Sequence, residues 1–214
     1  MSAVADTTVT IDLAKGCASD HCLKMAWNLN HQLSENYQKG AAVMPVPRTI
    51  GDWLAAHRTA RKRVVKALRA GYRYAPIDRP KHADDVYDIN TSTPKRQGRP
   101  MSKGYQEQPV FSPNPMLCPL HHVYTYGVLD SDDRLRAYLW LYRSGDLAMV
   151  SSILGHADHL HQGIMYLLYA GMVEQQIKLR GTIFYNLWDS GTDGLRFFKI
   201  RVGLEERDVD WLLT

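Results

Sequence analysis

The 214-residue chain is poor in cysteine, with three in all: Cys17, Cys22 and Cys118. An odd, widely placed set is not the framework of a small disulfide-stapled fold, and it fits a reducing, cytoplasmic setting. Cys17 and Cys22 flank His21. Their spacing matches no common zinc pattern and no second cysteine pair follows, so no metal is expected there. No apolar run approaches the roughly 18 residues that span a bilayer, so no membrane insertion is expected. The first residues, MSAVADTTVTIDLAKG, lack a basic stretch followed by an apolar one, so no secretory leader is expected. There is no Walker loop, no Rossmann glycine fingerprint, no G-x-S-x-G elbow and no internal repeat. Acidic residues are missing from Trp53 to Ile77, where Arg58, Arg61, Lys62, Arg63, Lys66, Arg69 and Arg73 all fall.

What is present is a globular composition, 45% apolar. Net charge is only +4, but the cations are clustered. One group is the 58–73 run, and Lys95, Arg96, Arg99 and Lys103 form a second. Such local positive potential attracts phosphate-bearing partners, or simply solvates a helix face.

Residues 7–13 alternate and predict a first strand, and 20–37 predict a helix with Asp20 as cap. Gly40 to Pro47 reads as a breaker. Thr49 caps one strong helix over 50–70, with Leu54, Ala60, Val64, Val65 and Leu68 inward, and Gly71 stops it. A short strand at 72–77 and a helix at 82–89 follow. Residues 90–119 are irregular and hold six prolines. Within them NTSTPKRQGRPMSKGY mixes hydroxyls, glycines and cations, which suits an anionic or polar substrate; Asn90, Arg96 and Arg99 are candidate binding residues. From His121 onward the pattern becomes strand, turn, strand, tight turn at Ser144-Gly145-Asp146, and strand to Leu154. Gly155 breaks that strand. A helix from Ala157 or Asp158 comes next, then a strand at 182–189, a helix at 194–202, and a terminal strand at 209–213. The aromatics on the outer face of 135–143 make that strand central.

This order resembles the C-terminal half of a GNAT-fold acyltransferase. Two stretches, YLWLYRSGDLAMVSSILGHADHLHQGIMYLLYAGMVE and GTDGLRFFKIRVGL, resemble the FemABX-type branch. The second carries the branch's L-x-x-F-K-x-x-x-G pattern at Leu195, Phe198, Lys199 and Gly203, with Leu204 where the family usually has Phe. The resemblance is clear over about 80 residues. It implies an α/β (α+β) fold: a mixed, mostly antiparallel central sheet with flanking helices and two central strands that splay apart. One GNAT-like domain over 1–214 is expected, with an N-terminal segment at 1–48, the basic helix and loop at 49–120, and the acyltransferase half at 121–214.

The resemblance also implies amide formation. The branch transfers an aminoacyl group from aminoacyl-tRNA, a co-substrate rather than a bound cofactor, to an amine acceptor. Acetyl-CoA is the alternative donor, and a non-catalytic nucleic-acid-binding module is the alternative from another class. CoA users carry a Q/R-x-x-G-x-G/A loop at the mouth of the splay. Here Leu154-Gly155-His156-Ala157-Asp158-His159 stands instead, with an acid that repels pyrophosphate. On the tRNA reading, Arg58, Arg61, Lys62, Arg63, Lys66 and Arg69 meet RNA phosphates. By resemblance Lys199 steadies the oxyanion of the tetrahedral intermediate.

Four further groups are open to two readings each. His156 is a general base for the incoming ammonium or a structural hydrogen-bond partner. His159 and His161 complete HADHLH, but a helical start pairs His156 with His159 and swings His161 away, against a metal site. Ser151 and Ser152 hydrogen-bond the donor or pack, and Tyr185 is a general acid for the leaving hydroxyl or an aromatic packing residue.

Overall fold

A computed structural model describes residues 8–96 and 98–214. Residue Thr7, expected to open the first strand, lies outside the described residues. Ten strands and six helices follow in chain order among those described. They are β1 (Thr8–Asp12), α1 (Asp20–Asn36), β2 (Ala41–Pro45), α2 (Ile50–Ala56), α3 (Arg58–Arg69), β3 (Arg73–Pro76), α4 (Ala83–Thr91), β4 (Lys95–Arg96), β5 (Arg99–Pro100), β6 (His121–Leu129), β7 (Leu135–Ser144), β8 (Leu147–Gly155), α5 (Ile164–Gln176), β9 (Thr182–Leu187), α6 (Asp193–Arg201) and β10 (Glu205–Leu212).

Eight strands form one sheet in the order β1-β10-β2-β9-β8-β7-β6-β3, and β4 and β5 make a small separate hairpin. The pairs β1–β10 and β8–β9 are parallel and the rest antiparallel. On one face Ala26, Leu29 and Leu33 of α1 pack on Val43, Phe184 and Trp211. On the other, α5 lies between the sheet and α2–α3, with Ala60, Val64, Leu168, Met172 and Val173 in one core. The helix α5 is apolar over most of its surface because most of it is covered, with Glu174 and Gln175 exposed near its end. This is the expected mixed, mostly antiparallel sheet with flanking helices.

The expected splay is present. Pairing between β8 and β9 covers only Leu147–Met149 against Thr182–Phe184. Beyond it β8 runs on to Gly155 and β9 to Leu187 without each other. The register of β7 on β8 slips between Trp140 and Leu141, leaving Ser151 as the extra residue of a bulge. A bulge bends and twists its strand, which turns β8 away from β9.

Several local expectations change. Residues 41–45, inside the supposed breaker, are the central strand β2. Ala41, Ala42, Val43 and Met44 are buried on both faces, so no alternation marks them. The helix expected over 50–70 is two helices broken at His57, whose ring Nδ1 donates to the Trp53 carbonyl at 2.8 Å. Ala60, Val64 and Ala67 face inward, whereas Val65 and Leu68 are exposed. Ser19, not Asp20, caps α1, and β10 begins four residues before the expected 209. The helix expected from 157 starts as a 3-10 turn over Ala157–Gln162, and only after Gly163 does α5 begin. Gly163 has φ 90°, and a Cβ there would lie 2.6 Å from the Arg63 carbonyl oxygen, so the turn packs directly on the backbone of α3. Cys17 and Cys22 are paired as a disulfide with Cα atoms 6.1 Å apart, against the expectation of unpaired thiols, and Cys118 is free.

Candidate active site

Where β8 leaves β9, a cavity of about 520 Å³ opens. Ile153, Leu154 and Gly155 of β8 and Met165 of α5 form its floor, and Arg96, Met101 and Tyr105 of the long loop close it from the side. The loop is therefore structured around the mouth. Arg96 is the tie. Its Nη1 donates to the Gly155 carbonyl at 2.9 Å, and its Nη2 donates to the Ile89 carbonyl at 2.6 Å and to Ser92 Oγ at 3.0 Å. Burial lowers the pKa of this guanidinium, yet it stays charged at any physiological pH. Asn90, at the end of α4, accepts a 2.7 Å bond from the buried Tyr138 hydroxyl. Arg99 sits exposed on β5 across from Arg96.

The N–H groups at the mouth are already engaged. Ala157 N–H donates to Ser92 Oγ at 3.0 Å and Asp158 N–H to His156 Nδ1 at 3.3 Å. His156 is turned from the cavity towards Asp88, with Nε2 3.6 Å from its carboxylate, and its ring meets His159 edge-on at 5.2 Å. His159 in turn bonds the Tyr72 hydroxyl at 2.6 Å through Nδ1, and burial lowers its pKa, favouring the neutral ring. His161 is exposed and bonds Gln162, so the three imidazoles do not converge. His121 and His122 lie at the other end of the sheet, at the start of β6.

Lys199 is fully buried on α6. Its ammonium donates to the Leu187 carbonyl, to the Trp188 carbonyl at 3.1 Å and to Ser190 Oγ at 3.0 Å, with the Ser190 carbonyl at 3.4 Å. Three N–H donors are thus committed to the turn that ends β9. Burial pulls its pKa down to about 8, and Asp189 opposes that shift. The Tyr185 ring centre lies 5.8 Å from this ammonium, and burial pushes the Tyr185 hydroxyl up to about 12, so it holds its proton at neutral pH. Tyr185 and Lys199 therefore lie together on the β9 side of the splay, and neither they nor His156 line the 520 Å³ cavity itself. Ser151 is exposed, and its Oγ donates to the Trp140 carbonyl at 3.1 Å. It lines a second cavity, of about 590 Å³, with Met149, Tyr142, Lys24 and Gln32 on the α1 face. Ser152 pairs with Trp140 in the ladder.

All six cations of α3 are exposed: Arg58, Arg61, Lys62, Arg63, Lys66 and Arg69. Among the described residues none of them joins an ion pair. Lys66 donates to the His161 carbonyl at 2.8 Å, which binds the basic helix to the 157–162 turn at the mouth. Tyr105, Met101 and Ser92 were not singled out by sequence. Only the polar, cation-bearing composition of their loop pointed towards them.

This sheet, with β8 bulged against β7 and splayed from β9, is the GNAT fold. Among solved structures it is similar to FemX (12% identity, TM-score 0.60, covering 86% of this chain and 66% of that one). It is also similar to the C-terminal domain of a putative lysylphosphatidylglycerol synthetase from Agrobacterium fabrum (14%, TM-score 0.50, 79% and 58%) and to L-PGS from Bacillus licheniformis (14%, TM-score 0.50, 85% and 62%). The chain spans about three-fifths to two-thirds of the length of these structures. No family model and no curated protein matches its sequence. No helix is long and apolar enough to cross a membrane.

Proposed function

We propose that this chain is an amide-forming acyltransferase whose donor is an aminoacyl-tRNA and whose acceptor is an amine. The observation that carries this reading is the unpaired basic face of α3 lying against the mouth of the β8–β9 splay. An RNA lying along α3 would have its charge met by six side chains, with its acyl end free to enter the cavity beside Tyr105 and Arg96. Acetyl-CoA suits the mouth less well. The N–H groups of Ala157 and Asp158 are occupied, and the negative charge that Asp158 brings to this turn disfavours a pyrophosphate.

In the reaction the acceptor nitrogen attacks the ester carbon, negative charge grows on the carbonyl oxygen, and the ribose hydroxyl departs with a proton. The protonated Tyr185 is suited to give that proton. The buried charge of Lys199 favours the oxyanion from the same side, through the field it sets up there. His156 is offered as a base only by way of water, since its ring faces Asp88.

The test is transfer from bulk tRNA charged with labelled amino acids, beside binding of uncharged tRNA at several salt concentrations. The triple variant Arg58→Ala/Arg61→Ala/Lys62→Ala should reduce the salt slope of binding by about 2 to 3 and leave thermal stability near that of the parent. Stabilisation and acetyl transfer with acetyl-CoA, in the absence of tRNA binding, would replace this reading by a CoA-dependent one. Tight tRNA binding with no transfer from any charged tRNA would leave a binding module.

A further inference from the structure

All three cysteines of the chain meet at one place, far from the mouth. Cys17 lies on the β1–α1 connection and Cys22 in the first turn of α1. Cys118 and His121 lie at the end of the long loop and the start of β6. Their three sulfurs and one ring nitrogen all fall within 4.8 Å of one another. Cys118 Sγ is 3.8 Å from His121 Nδ1. Ligands on a tetrahedral zinc, at about 2.3 Å for sulfur and 2.0 Å for nitrogen, stand roughly 3.5 to 3.8 Å apart, so the cluster is close to the size of a zinc shell.

The imidazole is oriented as a ligand. His121 is fully buried, and its Nε2 lies 3.0 Å from the Leu13 carbonyl oxygen. A carbonyl oxygen only accepts, so Nε2 carries the hydrogen and Nδ1 presents its lone pair to the three sulfurs. Ser144 Oγ donates to the same carbonyl at 2.8 Å and fixes it. On the sulfur side, the Ser19 hydroxyl donates to Cys22 Sγ at 3.0 Å, and Cys22 sits in the first turn of α1. A Cys17–Cys22 disulfide explains two of the four groups. It leaves the Cys118 thiol and an imidazole of fixed tautomer aimed at that disulfide with nothing to hold.

We propose that Cys17, Cys22, Cys118 and His121 bind one zinc ion, a closed structural site that clamps the end of the 101–120 loop to the start of α1. The metal-bearing form is the reduced one. A cellular dithiol supplies two electrons and two protons to open the disulfide, and zinc then displaces the three thiol protons. Four protein ligands leave no open position, and the site lies at the turn end of the β7–β8 hairpin, so it takes no part in the transfer step.

The full chain should be purified in a thiol reductant from zinc-supplemented medium and its metal content measured. About one zinc per chain is expected, falling at least about tenfold in Cys118→Ser and in His121→Ala, neither of which removes a disulfide cysteine. Should either variant fail to fold, cobalt titration of the parent decides: intense thiolate-to-cobalt bands of a tetrahedral centre support the site, and their absence overturns it. Metal content unaffected by both variants, or a metal-free protein retaining the Cys17–Cys22 bond after the same purification, also overturns it.

Discussion

At the turn end of the β7–β8 hairpin, Gly145 N–H donates to the Leu120 carbonyl, Asp146 N–H to the Asp12 carbonyl, and Thr182 N–H to the Asp146 carbonyl. Arg143, fully buried, donates to the carbonyls of Arg180 at 2.6 Å and Leu179 at 2.9 Å, and so closes the C-terminal end of α5. At the opposite end of the same hairpin, β8 has lost β9, and the wall is made by loop residues and the tips of Met165 and Leu160. One pair of strands thus joins a region held backbone to backbone with a region held by side-chain ends. The first fixes the position of β8, and the second leaves space along it. A splay can be kept open only if the strands are pinned elsewhere, and here Leu147–Met149 and the turn do so.

Substituting glycines at the two ends probes this difference most strongly. Gly145 has φ 53°, and a Cβ there would lie 2.2 Å from the Asp12 carbonyl oxygen and 2.9 Å from Lys15 N. Backbone atoms cannot yield, so Gly145→Val should cost about 4 kcal/mol or more and prevent cooperative folding, as read by circular dichroism melting. Next comes Arg143→Met, which roughly keeps the volume but removes the donors of two part-buried carbonyls. A loss of about 3 kcal/mol in denaturant unfolding is expected, and a neutral result would mean that the α5 terminus can re-cap itself. At the open end the same kind of change is mild. A Cβ on Gly155 would meet Met165 Sδ at 2.5 Å and Leu160 Cδ2 at 2.9 Å, both flexible tips. Gly155→Ala should cost about 1 kcal/mol and leave the fold intact while narrowing the cavity. A cost equal to that of Gly145→Val would erase the contrast.

The two ends also differ in how far sequence revealed them. Residues 121–155 were legible because alternation and the Gly145-Asp146 turn are local signals, and the L-x-x-F-K-x-x-x-G pattern placed α6 and β10 in order. The strand β2 was not, since Ala-Ala-Val-Met buried on both faces looks like any small apolar stretch beside Gly40 and Pro45. The break at His57 depends on one ring finding one carbonyl, which periodicity does not register. In the candidate site, the cation clusters marked α3 and the loop. That Arg96 would grip Gly155, or that Ser92 would occupy the N–H of Ala157, depends on contacts between segments distant in sequence. The Cys17–Cys22–Cys118–His121 cluster was missed for the same reason. The spacing of either pair alone carries little, and the bonds of His121 and Ser144 to the Leu13 carbonyl and of Asp146 N–H to the Asp12 carbonyl bring them together.

The smallest effect concerns Lys199, which belongs to the open end yet is as fully bonded as Arg143. Its folded pKa, about 8, lies below the 10.5 of the unfolded chain because burial disfavours its charge. Between these values the unfolded state binds more protons than the folded one, so this residue makes stability rise with pH from about 8 to about 10.5 and adds no slope below or above. Other groups titrate in the same interval, so the quantity to follow is the difference between the parent and Lys199→Met. Chemical denaturation at pH 7, 8.5 and 10 should show that difference growing in favour of the parent as pH rises. A difference that stays flat would mean that Lys199 keeps its ordinary pKa, and that the wall of the splay at Leu187–Ser190 opens far enough to let water reach the ammonium.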